Sequence, residues 1–284
     1  MSAPYRAVLL GLTLIAFAAN SLLNRAALVE NAIGPATFAT IRVAAGAGVL
    51  LALVALQGRV PRPDARNLRS AAALSVYMLG FSYAYLSLDA GFGALLLFGA
   101  VQVTMFAGAL VLREPVPPRR WVGALIALGG LVILLRPDAS GSVGGLAGAV
   151  LMVSAAIGWG VYSLIGRGST APLIDTALAF ALCLPVMVVA LLALPDQNPA
   201  SFQGVVLAIV CGALTSGGGY ALWYAVLPGL GASRAAVAQL SVPVIAALGG
   251  VLILSETLTV TMVLSAALVV AGVTVSLGRG RQVG

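Results

Sequence analysis

The 284-residue chain is 61% hydrophobic and only 8% charged, and its mean hydropathy is +1.10. A water-soluble domain carries roughly 25% charged residues, so this composition excludes a soluble protein and indicates an integral membrane protein. All 15 positive charges are arginines that lie mostly between apolar runs as topology determinants, so the net charge of +7 does not indicate a nucleic-acid partner.

Ten apolar runs of about 20 residues predict ten membrane-spanning helices, because this length crosses a ~30 Å hydrocarbon core. Their centres lie near Ile15, Val49, Leu79, Ala100, Ala127, Ser154, Pro185, Leu214, Ala246 and Val269. The first run has a single arginine ahead of it and no small-x-small cleavage site, so we expect it to stay as a membrane anchor. The predicted fold class is all-α integral membrane.

The two halves of the chain align with each other at a shift of 142 residues. Phe17–Arg25 aligns with Trp159–Arg167, and Glu114 aligns with Glu256. The alignment needs no gap between these two matches. The chain is therefore predicted to contain two copies of one unit.

Each unit contains five of the predicted spans, residues 1–142 in the first and residues 143–284 in the second, and together they form one transport domain. Because five is odd, the second unit must enter the membrane upside down relative to the first. Such inverted-topology repeats are typical of secondary transporters, which bind their solute near the bilayer midplane where the repeats meet.

The arginines predict the orientation of these spans. Twelve of them fall on one side of the predicted membrane: Arg6, Arg59, Arg62, Arg66, Arg69, Arg113, Arg119, Arg120, Arg167, Arg234, Arg279 and Arg281. Only Arg25 and Arg136 flank helices on the other side. By the positive-inside rule, both termini are predicted to be cytoplasmic.

Polar and aromatic residues inside the spans form a candidate solute site. Met78 and Ser82 lie four residues apart on one face of the third span. The repeat shift aligns them with Tyr220 and Tyr224 of the eighth span, so two helices offer aromatic surface and hydroxyl groups at similar depth. The predicted substrate-binding set is Asn20, Ser21, Asn24, Met78, Ser82, Tyr85, Gln102, Trp159, Ser163, Tyr220, Tyr224, Gln239 and Ser241. The alternative role for each is interhelical hydrogen bonding, worth about 0.6 kcal/mol on average in membranes.

Four residues are candidates for gating or hinge roles. Arg42 is the one charge predicted inside a span, and its side chain is expected either to snorkel to the interface or to attract a solute carboxylate near the outer mouth. Pro185 and Pro243 are predicted mid-helix, where proline removes a backbone hydrogen bond. Gly218 lies in a run of three glycines that predicts either a flexible point or close packing.

Catalysis is not predicted, because the chain has no histidine and its acidic residues fall in predicted loops or at helix ends. These acids are Glu30, Asp64, Asp89, Glu114, Asp138, Asp175, Asp196 and Glu256. None has metal-ligand spacing, and we expect no cofactor. Glu114 and Glu256 stand between spans, where a carboxylate can satisfy free N–H groups at a helix end or take part in gating. With no acid expected in the cavity, we predict gradient-driven movement of solute without a proton relay.

The stretch Gly229–Val275 combines a small-residue helix containing a proline, a glycine-rich segment, a Glu-Thr-Leu-Thr turn and a final glycine-containing helix. It resembles the drug/metabolite transporter superfamily, EamA type, and Ala90–Leu135 is similar to the same unit in the first half. Within that superfamily the chain resembles the bacterial amino-acid exporters. The resemblance implies helices one, three, four, six, eight and nine around a central cavity, with helices five and ten supporting the interface between halves.

The sequence thus predicts a multi-pass carrier of the bacterial inner membrane. It is expected to export small metabolites by alternating access, namely aromatic and other neutral amino acids. Two alternatives are a broad efflux transporter for lipophilic compounds, whose cationic solutes require an acidic residue in the cavity, and a noncatalytic scaffold or receptor. The expected partners are the solute and the lipid bilayer, and the chain is expected to act as a monomer.

Overall fold

A computed structural model of the chain describes residues 3–60, 62–113, 116–135, 145–167, 169–196, 199–230 and 238–277. Within these ranges the chain forms ten helices and no strand. The first seven are α1 (Ala3–Val29), α2 (Pro35–Leu56), α3 (Ala65–Ala84), α4 (Ala90–Val111), α5 (Pro118–Leu134), α6 (Leu146–Gly166) and α7 (Pro172–Ala193). Helix α8 runs without a break through α-helical Phe202–Val210, π-helical Cys211–Gly218 and α-helical Gly219–Leu230. The last two are α9 (Ser241–Leu254) and α10 (Val260–Leu277).

Each of the ten predicted span centres lies inside a helix, which agrees with the sequence prediction of where the apolar helices fall. Six helices in the described part of the chain, α1, α2, α4, α6, α7 and α8, are long and apolar enough to cross a membrane. Helices α9 and α10 are apolar but shorter over the described residues, α5 has 17 residues, and α3 carries Arg66 and Arg69 in its first turns. The chain is therefore an all-helical membrane protein.

Local sequence explains where several helices begin. Pro35, Pro118 and Pro172 each stand in the first turn of a helix, where the missing N–H has no intrahelical partner to lose. Asp64 caps α3 in a reciprocal capping box. Ser201 caps α8 by accepting a hydrogen bond from a backbone N–H of its first turn.

Helix packing leaves an apolar surface facing outward around the bundle. Helix α3 packs along α6, α1 packs along α8, α2 along α7, α4 against α6 and α9, and α5 along α10. Large apolar side chains point away from these contacts and are exposed, among them Leu56, Val111, Leu192 and Leu252. A surface of this kind suits lipid rather than water.

Helices α5 and α10 approach closely because glycine stands at the crossing on both sides. A Cβ on Gly130 would lie 3.0 Å from the backbone oxygen of Ser265 in α10, and one on Gly272 would lie 2.5 Å from that of Gly123 in α5. Only glycine allows backbones this near to each other. Gly130 and Gly272 are 142 residues apart, the same shift that aligns the two halves of the sequence.

The predicted hinge positions fall into different surroundings. Pro185 lies inside the continuous helix α7. Pro243 is the third residue of α9, and the described residues just before it, Ala238 and Gln239, are also helical, so its mid-helix position stays a prediction. Gly218 ends the π-helical stretch, and a Cβ there would meet only the backbone oxygen of Ala213 at 3.6 Å.

Candidate functional site

A cavity of about 660 Å³ opens between the helices. It receives side chains from α1, α3, α4, α5, α6, α7, α8 and α10. Much of its wall is aromatic, formed by Phe17, Phe106, Trp159, Tyr162, Tyr220, Trp223 and Tyr224. Its volume falls within the ~300–1,000 Å³ typical of small-molecule sites.

The rings around Trp159 contact one another as a continuous layer, which we call the aromatic layer: Phe17, Trp159 and Tyr220. The Trp159 and Tyr220 centroids are 5.4 Å apart, and the Phe17 and Tyr220 centroids are 5.8 Å apart. Tyr224 extends the layer by stacking on Tyr220 at 6.4 Å. Such offset rings present flat apolar faces on which a second aromatic group can stack.

Polar atoms are few along this wall and are fixed by neighbours. Thr176 Oγ1 lies 2.8 Å from the hydroxyl of Tyr162 and 2.8 Å from that of Tyr224, which ties α6, α7 and α8 together. Gln102 and Gln239 also line the cavity. Few polar groups in an apolar wall are what an oriented small-molecule site requires.

The mouth of the cavity is charged. Arg66, Arg120 and Arg167 line it together with Asp175 in the first turn of α7. Asp175 forms an ion pair with Arg66 and accepts a hydrogen bond from Asn67 Nδ2 at 3.1 Å. The expectation that no acidic residue would reach the cavity was therefore wrong. Asp175 does lie at a helix end as predicted, and its contacts with Arg66 and Asn67 hold that end of α7 beside the start of α3 at the cavity.

Six of the thirteen predicted substrate-binding residues line the cavity: Gln102, Trp159, Ser163, Tyr220, Tyr224 and Gln239. Ser163 bonds back to the Trp159 carbonyl oxygen at 2.8 Å. Among the other seven, Ser241 donates to the Ala238 carbonyl oxygen. The remaining six are buried between helices, away from the cavity wall: Asn20, Ser21, Asn24, Met78, Ser82 and Tyr85.

Two contacts show what some of these buried residues do. Asn24 Nδ2 donates to Ser82 Oγ at 3.3 Å, and the Tyr85 hydroxyl donates to the Ala90 carbonyl oxygen at 3.4 Å. Both contacts correspond to the alternative that the sequence left open, which is hydrogen bonding within the bundle.

The sequence prediction missed Phe17, Tyr162, Thr176 and Trp223, which all line the cavity. The repeat shift held a signal for Phe17, because it aligns Phe17 with Trp159. Tyr162 lies three residues after Trp159, and Trp223 three residues after Tyr220, so helical spacing puts each on the face of a predicted residue. No such signal marked Thr176.

Arg42 is almost fully buried, at 1% exposure, and so does not snorkel to the interface. Its Nε donates to Ser216 Oγ at 3.1 Å, and its Nη2 donates to Asn20 Oδ1 at 3.1 Å and to the Tyr77 hydroxyl at 3.3 Å. The guanidinium carbon lies 5.0 Å from the ring centroid of Phe81, a cation–π distance.

The opposite end of the bundle from the charged mouth is closed by ion pairs. Arg25 lies 3.3 Å from Asp89 and 3.8 Å from Glu256. Glu256 also accepts hydrogen bonds from the N–H groups of Ala90, at 2.7 Å, and Gly91, at 3.4 Å, so it caps the start of α4. Glu114, its predicted counterpart, lies outside the described residues.

Desolvation raises the pKa of Glu256 above its usual value near 4.5, while the bonds from Ala90 and Gly91 and the charge of Arg25 oppose this rise. Packing of the loop that carries Glu256 against the start of α4 removes water from this carboxylate, which is the cause of the raised pKa. Within the described ranges no cluster of three or more His, Cys, Asp or Glu side chains is arranged to hold a metal ion.

Comparison with known proteins adds a family and three relatives. A model of the EamA-like transporter family matches residues 6–136 and again residues 146–278. An uncharacterized protein of Pseudomonas aeruginosa is 48% identical over 87% of this chain and 85% of its own length. An uncharacterized transporter of Archaeoglobus fulgidus is 25% identical over 85% of this chain and 88% of its own. A Salmonella typhimurium protein named as a probable amino-acid metabolite efflux pump is 24% identical over 65% of this chain and 66% of its own.

The fold is also similar to that of a solved crystal structure, with a TM-score of 0.66 at 19% identity. The match covers 94% of this chain and 98% of that one, so the likeness extends over essentially the whole bundle.

Proposed function

We propose an export function for this chain, which belongs to the EamA-like transporter family and is a membrane transporter rather than an enzyme. It exports small metabolites across the bacterial inner membrane. The solutes we assign to it are amino acids, aromatic ones first and other neutral ones next. The Salmonella typhimurium relative is named a probable amino-acid metabolite efflux pump, and this name supports the same class of solute.

The observation that carries the proposal is the aromatic wall of the cavity. The rings of Trp159, Tyr220 and Tyr224 can contact the apolar side chain of an amino acid. The amide groups of Gln102 and Gln239 can bind the polar end of the same solute. A cavity of about 660 Å³ holds one such solute together with water.

We further propose that all ten helices cross the membrane as two inverted five-helix units, residues 1–142 and residues 143–284. Three observations support this: the family model matches the chain twice, the halves align at 142 residues, and Gly130 and Gly272 pack reciprocally at that spacing. The packing of α3 on α6 and of α1 on α8 supports it too, because the shift exchanges these pairs. The shorter helices are accommodated by local thinning of the bilayer or by tilt of their neighbours.

The cavity then opens to the cytoplasm in this conformation, because Arg66, Arg120 and Arg167 at its mouth belong to the arginine-rich side. The periplasmic end is closed by Arg25 with Asp89 and Glu256. Export by alternating access requires these ion pairs to separate while the mouth closes.

Efflux of lipophilic cations is the second candidate, and Asp175 is the observation that favours it. A carboxylate in the cavity is what a cationic solute needs. Three arginines line the same mouth, however, and Asp175 is already paired with Arg66. The positive excess repels cations and attracts carboxylates, so it favours amino acids.

The test is transport by purified protein in liposomes. We expect uptake of phenylalanine down its gradient, and we expect Tyr220→Ala and Tyr224→Ala to lower it roughly fivefold each, since an aromatic contact is worth about 1 kcal/mol. Tyr5→Ala is the matched control, because Tyr5 is 55% exposed and is not one of the residues that line the cavity. Unchanged uptake in both cavity variants would remove α8 from the site.

Competition separates the other candidates. A lipophilic cation that blocks phenylalanine uptake more strongly than other neutral amino acids would favour the broad efflux function. No flux of any of these compounds in a well-folded preparation would favour the scaffold or receptor.

A further inference from the structure

Arg42 carries a buried positive charge that no acidic side chain neutralises. Its hydrogen-bond partners, Ser216, Asn20 and Tyr77, are all neutral, and among the described residues no carboxylate contacts it. Within the described part of the chain, its Nη1 has no hydrogen-bond partner. A desolvated ion without a counter-charge costs several kcal/mol, so a purely structural arginine at this depth is normally paired.

The surroundings of Arg42 contain more donors than acceptors. Asn20 Oδ1 is the acceptor for four groups: Arg42 Nη2 at 3.1 Å, Cys211 Sγ at 3.3 Å, Thr215 Oγ1 at 2.9 Å and Ser216 Oγ at 3.0 Å. An amide oxygen has only two lone pairs. Thr215 Oγ1 has a second acceptor, the Cys211 carbonyl oxygen at 2.8 Å, but Arg42 Nη2, Cys211 Sγ and Ser216 Oγ still converge on the one amide oxygen. The cluster of Asn20, Arg42, Cys211, Thr215 and Ser216, which we call the donor cluster, is therefore short of acceptors around Arg42, and an anion would supply one.

The donor cluster lies directly behind the cavity wall. The Tyr77 hydroxyl that binds Arg42 belongs to a ring whose centroid is 5.0 Å from that of Trp159, a member of the aromatic layer. Thr215 and Ser216 belong to the π-helical stretch of α8, and π-helical turns occur frequently at functional sites. Along this path the Tyr77 ring and the aromatic layer thus separate Arg42 from the solute cavity.

We propose that Arg42 is the receptor for the carboxylate of the transported solute, which reaches it when the aromatic layer parts during the transport cycle. The inference rests on the proposed function and deepens it, because it assigns the charged end of the amino acid to one residue. The planar guanidinium fork matches a carboxylate in two parallel hydrogen bonds, and the unpartnered Nη1 is available for one of them.

The decisive variant is Asn20→Asp. It keeps the shape of the side chain, gives up the Nδ2 hydrogen bonds to the Ala16 and Thr215 carbonyl oxygens at 3.2 and 3.3 Å, and puts a carboxylate at the atom that already lies 3.1 Å from Arg42 Nη2. If Arg42 is only structural, the new ion pair should leave solute binding unchanged. If Arg42 is the receptor, the carboxylate of the variant occupies it, and affinity for carboxylate solutes should fall at least tenfold while the thermal midpoint in detergent does not fall.

Binding is read from tryptophan fluorescence of the full-length protein in detergent, since Trp159 and Trp223 line the cavity. The probes are phenylalanine, 3-phenylpropionate, which has no amine, 2-phenylethylamine, which has no carboxylate, and inorganic phosphate. We expect the wild-type protein to bind both carboxylates at least about tenfold more tightly than the amine. Asn31→Asp, which adds the same charge in the exposed turn after α1, is the control and should keep this preference.

Several results would overturn the assignment. One is a folded Asn20→Asp protein with wild-type preference for carboxylates, and another is a wild-type protein that binds the amine as tightly as phenylalanine. Tighter binding of phosphate than of either carboxylate would show that the anion class is wrong. If Asn20→Asp does not fold, Arg42→Lys replaces the fork by a point charge and should reduce the preference for carboxylates. An unchanged preference in that variant would also contradict the proposal.

The binding and flux measurements separate this inference from the proposed function. Carboxylate binding that depends on Arg42, without amino-acid flux in liposomes, would contradict the export function but not the role of Arg42. Amino-acid flux with identical solute preference in the wild-type and Asn20→Asp proteins would contradict the role of Arg42 but not the export function.

Discussion

Glu256 illustrates how one side chain can favour the fold through its contacts and oppose it through its charge. It caps α4 through Ala90 and Gly91 and pairs with Arg25, but its surroundings are poor in water. Desolvation outweighs these contacts, and the pKa of Glu256 is raised in the folded protein.

This pKa gives a prediction about pH and stability. The folded state binds the Glu256 proton more tightly than the unfolded state does. The resulting stabilisation is fully present at a pH below the unfolded-state pKa near 4.5, and it is lost as the pH rises through the higher pKa of the folded state. We expect the thermal midpoint in detergent to decline over that window in the wild-type protein, with Glu256→Gln showing a smaller decline. A steeper decline in the variant would contradict the assignment of this titration to Glu256.

Among the elements, α8 is unusual because it changes from α-helical to π-helical geometry over Cys211–Gly218 and back. Three consecutive glycines, 217 to 219, lie where this stretch ends and α-helical geometry resumes, and their surroundings differ. A Cβ on Gly217 would lie 3.2 Å from Val49 Cβ, and one on Gly219 would lie 3.3 Å from Ala16 Cβ, so close packing explains both. Gly218 has no such neighbour, which leaves backbone freedom as its reason.

We therefore predict that Gly218→Ala stabilises the protein by roughly 0.5–1 kcal/mol, as glycine-to-alanine changes do in helices, but lowers the rate of solute turnover. Gly48→Ala in α2 is the control, since a Cβ there meets nothing within 4 Å and one on Gly218 meets only the Ala213 carbonyl oxygen at an ordinary contact distance of 3.6 Å. The measurements are the thermal midpoint and the initial rate of phenylalanine flux in liposomes. Equal rates in the two alanine variants would remove Gly218 from the hinge.

At the scale of the whole molecule, the proposed topology determines which surface is reached from which side. Val60 follows α2 and is 79% exposed, and Phe202 begins α8 and is 87% exposed. The proposed orientation places Val60 in the cytoplasm and Phe202 in the periplasm.

A membrane-impermeant maleimide applied to intact cells should therefore label Phe202→Cys and leave Val60→Cys unlabelled until the cells are opened. The native Cys183 and Cys211 are buried and provide an unreactive background. The opposite labelling pattern would reverse the orientation, and labelling of both positions in intact cells would contradict the helix count.

The sequence by itself determined the membrane class, the position of ten apolar helices and the division into two similar halves. Hydropathy and span length depend only on the residues of one segment, not on the helices packed against it. A repeat is found by comparing one half of the sequence with the other. Family membership followed from the same stretches, such as Gly229–Val275.

The tertiary structure alone decided which polar side chains face the cavity. Helical spacing assigns residues to a common face, but the crossing of helices decides whether that face meets the cavity or another helix. Tyr220 and Tyr224 of α8 face the cavity. Met78 and Ser82, which the repeat shift aligns with them and which have the same spacing on α3, are buried between helices. Asp175 turned toward the cavity mouth and Arg42 turned inward for the same reason, because the partners that surround a charge come from helices distant in sequence.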